Sequence, residues 1–345
     1  MGLTNVDLSL SSEQRQLVES FTALYAREST SQRVRDAEPS GFDTRLWKSL
    51  QDNGVVHMAV DEAAGGWGAS ELELALIAEP FGAALASAPV IETQCAARLL
   101  AQCGPSGTEW LAKTLAGDAL VTFMPRPGAG SHLGLVPAAA VADAVVALVD
   151  ERLMLIRLED NNRERVENLA SMPLADIEFR DRGVALAEGA QARSLFSGAL
   201  DLWLSLTAMA LVGAAQKAVE LGVEYAKQRH AFGTAIGTFQ AVSHPLADSA
   251  TAGDGARLLG LKAACSFADE PALASELAAM AFTFAYETAR DATRRSLHIH
   301  GGYGFGMEQD IQLYYRRVRG WAMVYGEPTT ALDRVADMRY GVVAH

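Results

Sequence analysis

A chain of 345 residues, half of them hydrophobic and 21% charged, has ample apolar material for a buried core and is not a disordered segment. Its net charge of −13 argues against a nucleic-acid partner, which needs a dominant basic surface. The three cysteines, Cys95, Cys103 and Cys265, are odd in number and widely spaced, so neither a disulfide framework nor a zinc cluster is expected.

Met1 to Leu10 lacks a basic segment followed by an apolar one, and no signal peptide is expected there. From Ser11 to about Leu115 the pattern is helical. Ser11-Ser12-Glu13 offers a helix start, followed by Leu17, Phe21, Leu24 and Tyr25 at three- and four-residue steps. Phe42, Leu46, Trp47 and Leu50 form a second amphipathic run closed by Asn53-Gly54, and Glu71 to Ala84 follows the Gly65-Gly66-Trp67-Gly68 loop as a long helix. Between about Ala116 and Glu188 the period changes. Leu120–Phe123, Val145–Val149 and Leu153–Ile156 are short β-prone runs, with Arg180-Asp181-Arg182-Gly183 as a tight turn before Val184. From Ala192 onward the helical pattern returns. Leu195 to Gln228 reads as one helix, apolar on nearly every face, suited to the inside of a bundle or to a subunit interface. Ala256–Ala268, Pro271–His300 and Gln309–Tyr325 continue it. Asp143, Asp201 and Gln216 interrupt the most apolar stretches, so no membrane span is expected and the chain reads as soluble and cytoplasmic. The division is a helical domain over residues 1–115, a small β-domain over 116–190 and a helical bundle over 191–345.

Two motifs carry the chemistry. In Arg229-His-Ala-Phe232-Gly233-Thr-Ala-Ile236-Gly-Thr-Phe-Gln240 a helix end is followed by a turn that projects an arginine and then a glutamine. The planar guanidinium can bind phosphate oxygens bidentately, and the amide can meet a base edge or a phosphate. In Leu297-His298-Ile299-His300-Gly301-Gly302-Tyr303-Gly304-Phe305, the glycines let backbone approach a diphosphate closely. Tyr314, Tyr315, Arg316, Arg317 and Arg319 follow. Alone, either motif is an ordinary turn; in this order and spacing the pair is similar to the signature of the acyl-CoA dehydrogenase family.

The resemblance covers nearly the whole chain and implies that family's fold: an N-terminal helical domain, a middle β-domain and a C-terminal four-helix bundle. It implies FAD as cofactor. In the family these motifs reach across a dimer interface to the nucleotide half of a neighbour's FAD, and the matching positions are Arg229, Phe232, Gln240, His298, Gly301, Gly302 and Gly304. His298 stands where the family usually has glutamine, a mild change, since imidazole can also donate a hydrogen bond.

The catalytic side departs from the family. Its commonest base position falls on Tyr325, whose reference pKa near ~10 makes a poor base at neutral pH. The alternative position falls on Trp203, which cannot take a proton. Asp201 and Glu327 are the nearby carboxylates, read as a helix-start residue and a turn residue before Pro328. The family's T-E-P-x-A-G-S-D run corresponds to Thr122-Phe-Met-Pro-Arg-Pro-Gly-Ala-Gly-Ser131-His132, without its acid, and Glu327 puts negative charge where the family prefers threonine. Residues that serve a neighbour's flavin are kept and those that would serve its own are altered. The chain therefore resembles the base-deficient subunit of actinobacterial α2β2 acyl-CoA dehydrogenases acting on steroid side-chain CoA thioesters. The resemblance implies a base-containing homologue as partner, an acyl-CoA substrate, electron-transfer flavoprotein as acceptor, and no catalytic residue or metal in this chain. Two alternatives stand beside it: a self-sufficient flavoenzyme using Asp201 or Glu327 as base, and a flavin-free scaffold with the same fold.

Overall fold

The computed structural model describes residues 8–180, 182–327 and 329–341. The N-terminal part is built from α1 (Ser12–Glu28), α2 (Ser31–Ala37), α3 (Thr44–Asp52), α4 (Glu71–Ala83), α5 (Val90–Ala101) and α6 (Gly104–Ala116). α1 begins with a capping box, in which Gln14 N–H donates to Ser11 Oγ at 3.2 Å and Ser11 N–H donates to Gln14 Oε1 at 3.0 Å. Ser70 and Glu73 repeat the device at the start of α4. Helices α2, α5 and α6 were not individually expected. α5 is buried on nearly every face, so it lacks the polar stripe that makes a helical period visible.

The β-domain contains β1 (Val121–Phe123), β2 (His132–Val136), β3 (Ala144–Val149), β4 (Arg152–Arg157), β5 (Arg163–Arg165), β6 (Ala175–Glu178) and β7 (Gly183–Glu188). One sheet has the order β1-β3-β4-β7 and the other β2-β6-β5. β1 runs parallel to β3, pairing Thr122 with Val145; the remaining neighbours are antiparallel. The three apolar runs became β1, β3 and β4. The second sheet left no apolar signal, because β5 reads Arg-Glu-Arg and β6 alternates buried and half-exposed positions. Asp181, in the expected turn before β7, lies outside the described residues, as do Met1–Asp7 and Pro328; on the near side of that turn Arg182 N–H donates to Phe179 O at 2.8 Å.

The C-terminal bundle comprises α7 (Gly189–Gln228), α8 (Gln240–Asp269), α9 (Pro271–Ile299), α10 (Ile311–Met323) and α11 (Thr329–Tyr340). Between α7 and α8 lies a small hairpin, β8 (His230–Ala231) and β9 (Thr234–Ala235). Among the described residues α7 is the one helix long and apolar enough to cross a membrane, but 83% of its most apolar stretch is buried inside the protein. Residues 200–211 are all enclosed by this chain's own helices, which assigns their apolar character to an internal core. α4 crosses α7 at van der Waals limit through two glycines. A Cβ on Gly82 would lie 1.8 Å from the Ala210 carbonyl oxygen, and one on Gly213 would lie 1.9 Å from that of Glu79. Arg257 then ties α8 to the same point, its Nε 2.8 Å from Glu79 Oε1. Arg316 and Arg317 are spent on similar ties: Arg316 pairs with Glu38, and the buried Arg317 guanidinium donates to the Ala170 carbonyl at 2.9 Å. Burial pushes the Arg317 pKa down to about 10, against the pull of Glu38.

Candidate functional site: an open groove and a filled pocket

The C-terminus of α7 delivers Arg229 into an exposed position. Its backbone is fixed, donating to Tyr225 O at 2.9 Å and accepting from Ile236 N–H at 2.8 Å. Its guanidinium has no hydrogen-bond or ion-pair partner among the described residues. The β8–β9 hairpin turns through Phe232 and Gly233, both at positive φ (55° and 81°), the backbone of a two-residue type I′ turn that normally selects Asn-Gly. Phe232 therefore sits in a strained conformation, and its ring is 97% exposed, touching Phe239 edge-on at 6.2 Å.

Arg229 shares a groove with Tyr225, Ile236, His300, Gly301 and Gly302. Gly301 needs its glycine for a φ of +62°, whereas Gly302 has ordinary φ and a Cβ there would meet nothing within 4 Å. Gly304 is different: a Cβ would lie 2.6 Å from Leu297 O, so its glycine serves the turn's own packing. Gln240 opens α8 and His298 lies in the last turn of α9; both are exposed, and neither lines the groove. Arg229, Gly301 and Gly302 are thus brought together, Phe232, Gln240 and His298 lie outside the groove's lining, and Gly304 supports the turn. Tyr225 and His300, which stack at 4.2 Å, were not anticipated.

The two base positions meet in the interior. Trp203 and Tyr325 lie with ring centroids 6.2 Å apart, and Phe282 packs against both, at 5.8 and 5.7 Å. Burial pushes the Tyr325 hydroxyl pKa up. Beside this cluster, between helices and β-domain, is a cavity of about 40 Å³ bordered by Glu92, Trp203, Thr207, Arg317 and Trp321. Glu92, on α5, is the carboxylate against Trp203, whose indole N–H donates to Glu92 Oε1 at 3.2 Å. Burial raises the Glu92 pKa, with its own backbone N–H and the indole opposing. Sequence reading missed it because α5 shows no amphipathic pattern.

Asp201 is not a helix-start residue: α7 begins at Gly189, and Asp201 is a buried mid-helix carboxylate. Arg334 of α11 donates to Asp201 Oδ1 at 2.6 Å and Ser275 donates to Oδ2. Burial raises its pKa while Arg334 and Ser275 hold it back. Both oxygens are engaged in joining α7, α9 and α11. Glu327 is exposed. The three arginines near the end of α9 are divided: Arg290 and Arg294 face Asp291, whereas Arg295 turns inward to Ser249 Oγ at 3.0 Å.

Family models describing the acyl-CoA dehydrogenase N-terminal and C-terminal domains match residues 11–118 and 199–338, on either side of the β-domain. The chain belongs to the acyl-CoA dehydrogenase family, whose members are FAD-dependent oxidoreductases. It is 30% identical to the acyl-CoA dehydrogenase IpdE2 of Mycolicibacterium smegmatis, over 94% of this chain and 98% of that one. Among solved structures it resembles a chain of the ChsE4-ChsE5 complex from Mycobacterium tuberculosis, with TM-score 0.87 and 23% identity over 98% of this chain and 100% of that one. It also resembles a chain of the Tcur3481-Tcur3483 steroid ACAD, with TM-score 0.85 and 26% identity over 96% and 98% of the two chains.

Proposed function

We propose that this chain is the base-deficient subunit of a heteromeric FAD-dependent acyl-CoA dehydrogenase. It grips the nucleotide of a flavin shared with a homologous partner, and the partner supplies the base and the thioester pocket. The reaction is α,β-desaturation of acyl-CoA thioesters, with steroid side-chain CoA esters as the substrate class and electron-transfer flavoprotein as the electron acceptor. Likeness to chains of two complexes, one of them described as a steroid ACAD, supports the partner and the substrate class.

The observation that carries this reading is the contact of Trp203 with Tyr325 at the two base positions. Neither side chain can accept the α-proton at neutral pH, and the space beside them is about 40 Å³. Ligand pockets need roughly 300 Å³ or more, so a flavin ring and a thioester do not fit there. Asp201 does not rescue the chemistry, since Arg334 and Ser275 hold both its oxygens.

The nucleotide half fits the outward groove. The Arg229 guanidinium, without an internal partner, would bind diphosphate oxygens. Gly301 and Gly302 would admit close backbone approach, Phe232 would cover the nucleotide from the hairpin, and Gln240 and His298 would reach it from the two helix ends. When bound, FAD supplies the acceptor for the β-hydrogen leaving as hydride. This chain's residues bind and orient; none of them moves a proton.

The test is a visible absorption spectrum of the chain purified alone and after co-expression with a base-containing homologue. A colourless chain and a yellow complex that bleaches on adding acyl-CoA is the expected result. A yellow, substrate-bleached protein obtained without a partner would overturn the proposal.

A further inference from the structure

His300 is buried at the floor of the Arg229 groove, although the two motifs point to its exposed neighbour His298. Two contacts fix its ring. Tyr225, three residues before the end of α7, stacks on it with centroids 4.2 Å apart and planes 24° from parallel. Its Nδ1 lies 2.7 Å from the Ser296 carbonyl oxygen. A carbonyl only accepts, so Nδ1 carries the hydrogen, and in the neutral ring Nε2 presents a lone pair. Nε2 has no protein partner among the described residues, and it is not one of the buried polar atoms sealed from solvent. The local fold also keeps the ring's place clear. Gly304 packs close enough that a Cβ there would sit 3.1 Å from His300 Cβ, and Gly222 leaves room for the Ser296 side chain, 2.7 Å from where its own Cβ would be.

Around this imidazole the groove combines three kinds of surface. Arg229 supplies charge, Gly301 and Gly302 supply open backbone, and Tyr225, Ile236, Ile299 and Tyr303 supply apolar and aromatic walls. A phosphate alone would need only the first two. A dinucleotide, which carries a flat base and a sugar beside its diphosphate, uses all three.

We propose that His300 is a nucleotide-positioning residue of this groove, its ring held by Tyr225 and its Nε2 accepting a hydrogen bond from a hydroxyl or amine of the adenosine half of the shared dinucleotide. This rests on the shared-flavin reading. His300 sets where the adenosine lies, and Arg229 holds the charge next to it.

The experiment uses the co-expressed complex, stripped of flavin and titrated with FAD by flavin fluorescence, with melting temperature and oligomer size measured on the same samples. His300→Phe keeps the stacking plate and removes both nitrogens; His300→Asn keeps a donor for Ser296 and removes Nε2. Both are expected to weaken FAD binding about tenfold, the effect of one lost hydrogen bond, with assembly unchanged. FAD affinity equal to the unaltered complex in His300→Phe would overturn the proposal. So would a weakening matched by a lower melting temperature or a dissociated complex, because the role would then be structural. Arg229→Ala separates this from the underlying reading. If it loses FAD while the His300 variants do not, the positioning role alone fails; if Arg229→Ala also binds FAD normally, the shared grip itself fails.

Discussion

The groove at Arg229 and the pocket at Trp203 belong to one helix, α7, and they have opposite characters. Interactions in the groove are unspent. Among the described residues Arg229 has no hydrogen-bond or ion-pair partner and a Cβ on Gly302 would meet nothing, while Phe232 holds a positive φ with an exposed ring. A non-glycine residue at positive φ costs on the order of 1 kcal/mol, and among the described residues the exposed ring has the edge contact with Phe239 alone to set against it. In the pocket the polar and aromatic groups are largely turned on one another: Trp203 bonds Glu92, Asp201 bonds Arg334 and Ser275, and Phe282 seals Trp203 against Tyr325. Groups that a fold leaves unused while bearing their cost indicate a second molecule. Groups it consumes indicate packing.

The strongest way to break this comparison is Trp203→Ala. If the pocket is packing, the variant should lose about 3–5 kcal/mol of stability, read by chemical denaturation, and should gain no acyl-CoA dehydrogenase activity of its own. Activity in the isolated variant would mean that the pocket is a blocked active site and not a filled core. Next in size is a paired test of the glycines. Gly304→Ala forces a Cβ against the Leu297 carbonyl and should destabilise the isolated chain by about 1–3 kcal/mol. Gly302→Ala should leave the isolated chain within about 0.5 kcal/mol while reducing the flavin retained by the complex through gel filtration. Equal stability losses would erase the distinction between inward and outward glycines. The smallest effect is a pH dependence at Glu92. Burial raises its pKa above the ordinary 4.5, so the native state binds more protons than the unfolded one and this group's contribution to stability falls as pH rises through that range. Glu92→Gln removes the cost while keeping an acceptor for Trp203. Its melting temperature relative to the unaltered chain should therefore rise between pH 4 and pH 7, by an amount on the order of 1 °C. A relative change of the opposite sign would show that Trp203 is matched to the ionised carboxylate.

How much of this could be read from the residues depended on whether the signal was local. Arg229, Phe232 and Gln240 were legible because a helix end, a two-residue turn and a helix start impose a fixed spacing. The spacing from the motifs places Trp203 and Tyr325 at the two base positions, but carries no sign that their rings touch. The stack of Tyr225 on His300 joins the ends of α7 and α9 and leaves no mark at either place in the sequence. Glu92 was hidden on a helix buried all round. Asp201 was misread as a helix start because α7 runs unbroken from Gly189 through Gly198, a residue type that usually weakens a helix interior. In the β-domain, the sheet built on apolar runs was visible and the sheet carrying β5 was not, since two of the three β5 residues are arginines.

The glycine crossing of α4 on α7 also has a mechanical consequence. With Gly82 packed on the Ala210 carbonyl and Gly213 on that of Glu79, the crossing sets the closest approach of α7 to α4, and a repacked α7 would tilt about it. From Gly213 to Arg229 the helix extends about 24 Å at ~1.5 Å per residue, so a tilt of about 5° would swing the arginine by roughly 2 Å. The opposite arm carries Trp203 and Asp201. Side-chain bulk at the interior end is therefore one lever on where Arg229 points at the other.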